Sequence, residues 1–365
     1  MKLTQLQLEN FRSYKKYSFD FPEDKRVTIL VGSNGKGKTN FLEAIYLLAL
    51  GRSFRTLQRD DLVLWGEDYY RCKGKVTYSD EDNELEVFYS SNPVKRNFKK
   101  NGTNLKNTEY IGNLLVVLFH PEDLNMLYLS PQYRRRYMDI LLSQTDKKYL
   151  YALTKYKKLI KQRNALLHEI RNIRFKGGQT TELEADLDAW DEQVVQEGKY
   201  IFEQRNTLID YLSGNIEEIY QRISGNKEKV GIRYKSKLKE SHQYKEELKL
   251  LRQKDIRDAK TNLGPHLDDI EFFIDEKEIV RAASRGEFRT LLLAIKIAEI
   301  TYIKEKTERN PILLLDDVFS ELDVDRRHHL FDAIEGCQTI ITTTEVEIFP
   351  DTKGKPLPAR LVRIE

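Results

Sequence analysis

No segment of this chain constrains its fold more than Gly32-Ser33-Asn34-Gly35-Lys36-Gly37-Lys38-Thr39 and its flanks. Before it runs Val27-Thr28-Ile29-Leu30-Val31, a short β-branched stretch that reads as a buried strand. After it, apolar residues recur at helical spacing from Phe41 to Leu50 and stop at Gly51, a helix with a glycine C-cap. Strand, glycine loop and helix in that order make a phosphate-binding loop: backbone N–H groups converge on an anion, and the helix N-terminus adds positive potential. In such a loop Lys38 reaches the β- and γ-phosphates of a nucleotide and Thr39 takes Mg²⁺. A glycine loop without a ligand would not need both flanking elements. The fold class expected is therefore α/β.

A second apolar strand, Ile312-Leu313-Leu314-Leu315, ends in Asp316-Asp317. Carboxylates at the carboxyl end of a strand lie where open α/β sheets bind ligands. Asp316 is expected to hold Mg²⁺, and Asp317 to orient the attacking water, since phosphoryl transfer needs mostly positioning and charge stabilisation. About thirty residues before this strand, Ala283-Ser284-Arg285-Gly286-Glu287 opens a helix that runs to about Lys304. Taken alone, Ser284 is an ordinary N-cap. At this distance from a Walker B strand, Ser284, Gly286 and Glu287 also match the signature motif of ABC ATPases, a second anion site suited to the γ-phosphate held by another subunit. That implies an ATP-dependent homodimer with two nucleotides between the protomers. Ser320-Glu321-Leu322-Asp323 stands where such ATPases carry a D-loop.

The chain's 365 residues suffice for a core domain and one further lobe. From Asp146 to Phe175 the apolar spacing is helical, Gly177-Gly178 marks a turn, and from Leu183 to Ile223 a second helical run comes close to a coiled-coil repeat. Helices of that length reach roughly 45 to 65 Å, a short lobe. We expect an ABC-type ATPase domain assembled from 1–130 and 261–365, split by a mostly helical lobe over 131–260. Lys and Arg exceed Asp and Glu by three, too small an excess to nominate nucleic acid, so DNA contact must rest on local clusters. Arg134-Arg135-Arg136, between Tyr133 and Tyr137, is one candidate for gripping phosphates, against the alternative of an internally paired helix start. Lys95, Arg96, Lys99 and Lys100 form another, on a hairpin. Cys72 and Cys337 match no metal-ligand spacing and are expected to be reduced. No apolar run approaches the ~20 residues that span a bilayer, so no membrane partner is expected and a cytoplasmic location is.

Several stretches resemble the RecF family of recombination-repair ATPases. They are the phosphate loop continued through Asn40-Phe41-Leu42-Glu43, Asn10-Phe11-Arg12-Ser13-Tyr14, Gly51-Arg52-Ser53-Phe54-Arg55, His120-Pro121-Glu122-Asp123-Leu124 and Gly264-Pro265-His266. The resemblance implies a slow ATPase that closes as a clamp on duplex DNA and single-strand/duplex junctions without sequence preference. It also implies work with RecR and RecO to help load RecA. By the same resemblance Arg12 lies near the nucleotide with Gly32 to Asn40, and the His120 to Leu124 loop takes the place of the γ-phosphate-sensing Q-loop. Glu287 stands where the signature often has Gln, and Thr342-Thr343-Thr344 where transporters have a switch His. Two other readings stay open: a transporter's nucleotide-binding subunit, which the helical insert and missing switch His oppose, and a non-hydrolysing scaffold. A P-loop kinase would carry no signature motif.

Overall fold

The structure, a computed structural model, describes residues 1–78, 81–225, 228–321, 323–344 and 359–364. The chain divides into two units, Met1–Leu124 with Glu218–Glu228 and Ala283–Glu365, and Asn125–Glu217 with Lys229–Ala282.

The first unit holds two sheets. One is parallel, in the order Ala359–Arg363, Val27–Val31, Thr339–Thr343, Ile312–Asp316, Val116–Phe119. The three central strands are buried throughout, which is why they read as continuous apolar or β-branched runs rather than alternating ones. The other is antiparallel and six-stranded, from Tyr14–Asp20 through Lys2–Phe11, Tyr69–Tyr78, Glu81–Ser91 and Val94–Lys100 to Thr103–Leu105. Its strands alternate because only one face meets the core. Helix Lys38–Leu50 packs between the sheets, touching Tyr69–Tyr78 and Glu81–Ser91 on one side and Ile312–Asp316 and Thr339–Thr343 on the other. Every residue from Phe41 to Leu50 is buried, so this helix is enclosed on all sides, with Glu43 its one charged residue in that stretch. Gly51 ends it in the left-handed conformation, its N–H bonding Leu47 O.

The second unit is built on helices Lys147–Phe175 and Thr181–Ser224, the latter's last residues counting with the first unit. Contacts from Lys155 to Glu197 (2.7 Å) and from Arg163 to Asp191 (2.6 Å) show that the two run antiparallel. The expected seam is buried at Leu187, Val194, Ile201, Leu208, Leu212 and Ile216. The boundaries, however, differ from 131–260. Residues 261–282 belong here because Asp269–Ile274 pairs antiparallel with Val230–Lys235, closing a three-stranded sheet with Lys277–Glu278. The lobe is thus helical with a small sheet, and it begins at Asn125.

Polar networks tie this unit together. Arg163 is fully buried, its guanidinium donating to Asp191 (2.6 Å), Asp255 (2.7 Å) and Thr261 (2.9 Å). Arg205 donates to Asp139 (2.8 Å) and to Pro265 O (2.6 Å). Gly264 has φ +127°, and a Cβ there would collide with the Tyr244 and Tyr156 hydroxyls, so only glycine fits. His266 bonds Tyr156 and Thr261 O, and burial pushes its pKa down, leaving the ring neutral. Removing one partner of a buried pair strands the other charge. Arg163→Met is therefore expected to destabilise this unit by about 3 to 5 kcal/mol in urea unfolding; a change within ~0.5 kcal/mol would mean that the network contributes nothing to stability.

Candidate nucleotide site

The sheet order brings the phosphate loop beside the Walker B strand, because Thr339–Thr343 lies between Val27–Val31 and Ile312–Asp316. The loop turns on Gly37, at φ +97°, where a Cβ would press within 2.9 Å of Ser13 Oγ; Tyr14 OH donates to Gly37 O at 3.0 Å. Lys38 is buried and donates to Gly32 O (2.6 Å) and Ser33 O (3.0 Å), so its ammonium rests on the loop's own carbonyls at the mouth of a cleft. Ser33, Asn34, Gly35 and Lys36 are exposed. The cleft measures about 430 Å³, a size that suits a small-molecule ligand. It is lined by Asn34, Gly35, Gly37, Lys38, Thr39, Asn40, Arg55, His120, Pro121, Asp316, Asp317 and Thr342.

Within it the two motifs meet. Thr39 Oγ1 donates to Asp316 Oδ1 at 2.9 Å, across 277 residues of sequence. Thr342, opposite Asp316 in the sheet register, donates to the same oxygen at 2.7 Å, and its hydroxyl accepts the Asp317 N–H at 3.0 Å. One buried threonine thus holds both acids. Asp317 sits at φ +52°, a left-handed conformation that aspartate tolerates better than most residues. His120 ends the strand Val116–Phe119. Its Nδ1 accepts the Glu122 N–H (3.2 Å), so Nε2 is the ring atom turned toward Asp316, 3.9 Å from Oδ2. A hydroxyl and a carboxylate are hard oxygen donors, the set by which Mg²⁺ is held together with nucleotide phosphates. Among the described residues no cluster of three or more His, Cys, Asp or Glu side chains forms a metal cage. Thr39 and Asp316 therefore fit Mg²⁺ bound with a nucleotide.

Some expected residues have other work. Arg12 does not line the cleft: its fork holds the fully buried Glu43 through two 2.8 Å bonds and its third nitrogen donates to Asp61 O. The arginine that lines the cleft is Arg55, which donates to Asn40 Oδ1 at 3.0 Å and lies 3.6 Å from Glu43. The sequence motifs include Arg55 but give it no role; a guanidinium so soon after the phosphate helix is the signal that points to one. Ser284 caps Arg285–Thr307 in a capping box with Glu287, whose carboxylate accepts the Ser284 N–H. A glutamate serves in a capping box as well as a glutamine. Ser284 is exposed, and neither it nor Gly286 or Glu287 lines the chain's own cleft. Of the D-loop stretch, Leu322 and the side chains of Ser320 and Glu321 lie outside the described residues, while Asp323 caps Val324–Ala333.

The basic clusters are also partly spent. Arg134 grips Asp269 with two bonds of 2.6 and 3.0 Å, and Arg135 donates to Asp268 O at 2.7 Å. The internally paired alternative holds for both, because their partners Asp269 and Asp268, 135 and 133 residues away in sequence, arrive at the start of the strand Asp269–Ile274. Arg136 is partly exposed. In the other cluster Lys99 pairs with Glu86 (3.2 Å), Lys100 donates to Tyr78 OH, and burial pushes Arg96 down to about 10.

Residues 2–355 match the family model described as the RecF/RecN/SMC N terminal domain. The chain is 38% identical over 359 residues to the DNA replication and repair protein RecF of Bacillus mycoides, covering 95% of this chain and 93% of that one. The RecF of Bacillus thuringiensis (strain Al Hakam) is similar to the same extent. Among solved structures, that of the recombination mediator protein RecF with ATP in the RecFOR pathway superposes with TM-score 0.85 at 33% identity, over 94% of this chain and 92% of that one. An SMC head domain derived from Pyrococcus furiosus, at TM-score 0.51 and 18% identity over 94% of this chain and 89% of that one, shares the fold. A phosphate loop and Walker B strand closed over one cleft, with a likeness that runs almost end to end, make this chain a member of the RecF family.

Proposed function

We propose that this chain is an ATP-dependent DNA clamp of recombinational repair. In this reading it dimerises on ATP, binds duplex DNA and single-strand/duplex junctions without sequence preference, and acts with RecR and RecO to help load recombinase. One observation carries the dimer: Ser284, Gly286 and Glu287 open a helix at an exposed site outside the chain's own cleft. A Cβ on Gly286 would meet nothing nearer than Arg326 at 3.7 Å, so packing within the chain does not require glycine, although glycine costs ~1 kcal/mol in a helix. Close approach by a ligand held elsewhere supplies the reason.

In this reading Lys38 leaves the Gly32 and Ser33 carbonyls for the β- and γ-phosphates. Thr39 and Asp316 hold Mg²⁺, which neutralises charge on the transferring phosphoryl group. Asp317 orients the attacking water, with Thr342 fixing its backbone, and His120 turns its Nε2 toward the cleft. Turnover is slow, as suits a switch. No helix among the described residues is long and apolar enough to cross a membrane, which accords with a cytoplasmic site of action. DNA binding in this reading is backbone-directed and weakens steeply with salt. Reversing Arg134 or Arg135 would break the lobe's own pairs, so a loss of DNA binding on their reversal has to be read beside a matched stability measurement.

Asp317→Asn is expected to keep ATP affinity within about twofold and to lower single-turnover hydrolysis by roughly a hundredfold or more. It should leave a long-lived dimer that retains duplex DNA in sedimentation. Hydrolysis at the wild-type rate would place the base elsewhere, and a protein that stays monomeric with ATP and Mg²⁺ would end the clamp reading.

A further inference from the structure

The helix that Ser284 caps carries a charge pair on its buried face. Lys296 is 6% exposed and Glu299 3%, among Leu293, Ala294, Ile295 and Ile300. Ions so deep are costly to desolvate, and an apolar pair of similar size would stabilise the helix as well or better. Packing alone does not explain them.

Their geometry ties the helix to the nucleotide cleft. Lys296 Nζ lies 3.3 Å from Glu299 and 3.5 Å from Asp123 Oδ2. That same Asp123 oxygen accepts the backbone N–H of His120 at 3.0 Å, and Asp123 N–H bonds back to His120 O at 2.8 Å. The His120 ring lines the cleft, 3.9 Å from the metal-site carboxylate of Asp316. A continuous path therefore runs from Asp316 through His120 and Asp123 to Lys296. Burial works against the Lys296 ammonium, but Asp123 and Glu299 outweigh it and hold its pKa above the ordinary lysine value. Burial pushes Glu299 up. A small apolar cavity of about 30 Å³, lined in part by His120, Leu124, Leu292 and Val318, separates the 120–124 loop from the helix. Should Asp123 move with His120, Lys296 still has Glu299, so the ammonium is never stranded. Two carboxylates share one buried cation, so a shift in either acid alters the balance of contacts at Lys296.

We propose that Lys296 is a positioning residue that transmits occupancy of the chain's own cleft, through Asp123 and His120, to the helix presenting Ser284 to a second copy. The proposal rests on the dimeric reading above. On this proposal ATP, rather than ADP, sets the helix for dimerisation, the γ-phosphate being the group that ADP lacks and His120 lying 3.9 Å from the Asp316 carboxylate.

The test uses the full-length chain. Lys296→Met keeps side-chain length and removes the charge; the double variant Lys296→Met, Glu299→Leu also removes the acid left behind, in case the single variant folds poorly. ATP affinity measured by titration is expected to stay within about twofold of wild type. The preference of dimerisation for ATP over ADP, measured by sedimentation, should fall by about tenfold or more. Asp123→Asn should cause a similar fall, and adding it to the double variant should lower dimerisation no further, as residues on one path behave. A purely structural role would reduce stability without selectively erasing the ATP preference. A folded double variant that keeps the wild-type preference overturns the coupling alone, as do additive effects of Asp123→Asn. A wild-type protein that stays monomeric with ATP overturns the dimeric reading and this proposal with it.

Discussion

Lys38→Ala is expected to abolish ATP binding at micromolar concentrations. Truncating one member of a hydrogen-bonded charge pair inside a cleft costs about 2 to 5 kcal/mol, or roughly one and a half to three and a half powers of ten in affinity. The loss should come from the nucleotide complex rather than from the fold. Lys38 touches the Gly32 and Ser33 carbonyls, and among the described residues no carboxylate forms an ion pair with it. Alanine keeps the helical propensity of the first turn. Calorimetric ATP titration with a matched urea unfolding curve checks both halves. A folded Lys38→Ala protein that binds ATP as wild type would remove the phosphate-loop assignment, and with it the role given to Thr39.

Ser284→Arg should have a comparably large effect on a different quantity. The substitution puts a long cationic side chain at the exposed start of Arg285–Thr307, where the partner's γ-phosphate is expected, and leaves every cleft-lining residue of the same chain in place. Each monomer should bind ATP normally. ATP-dependent dimerisation and hydrolysis should fall together by at least about a hundredfold, while salt-sensitive attraction of the monomer to DNA persists. The capping bond from the Glu287 N–H to Ser284 Oγ (3.3 Å) is lost as well, at a cost of about 1 kcal/mol. Ser284→Asn, which retains a capping acceptor, separates that cost from the block at the interface. Normal dimerisation of Ser284→Arg with ATP would show that Ser284 is only an N-cap.

These effects trace to features legible at different levels. Motifs whose parts lie within a few residues of one another were readable because local backbone conformation decides them. The glycine loop between strand and helix, the Ser284 N-cap, the heptad seam from Leu187 to Leu208 and the buried Walker B strand all came from residue type and spacing. Family likeness then added a role for the whole assembly. Arg12 shows what sequence likeness leaves out: its guanidinium is held by Glu43, a partner that only packing against helix Lys38–Leu50 supplies.

By itself, then, the sequence determined the class of fold, the phosphate loop, the Walker B acids and the helix that opens at Ser284. Tertiary structure decided what these residues meet. Thr39 reaches Asp316, and Thr342 holds Asp316 and Asp317 together, only because strand order sets Thr339–Thr343 between the two motif strands. Val230–Lys235 is a short alternating run, Val230, Ile232 and Tyr234, inside a lysine- and glutamate-rich stretch, and only its pairing with Asp269–Ile274 moved the lobe boundary beyond residue 260. Arg134 and Arg135 read as a surface cluster until Asp269 and the Asp268 carbonyl were brought to them. The physical reason is the same in each case: backbone conformation depends on neighbours in the chain, whereas the partner of a charge or a strand edge depends on which distant segment burial brings beside it.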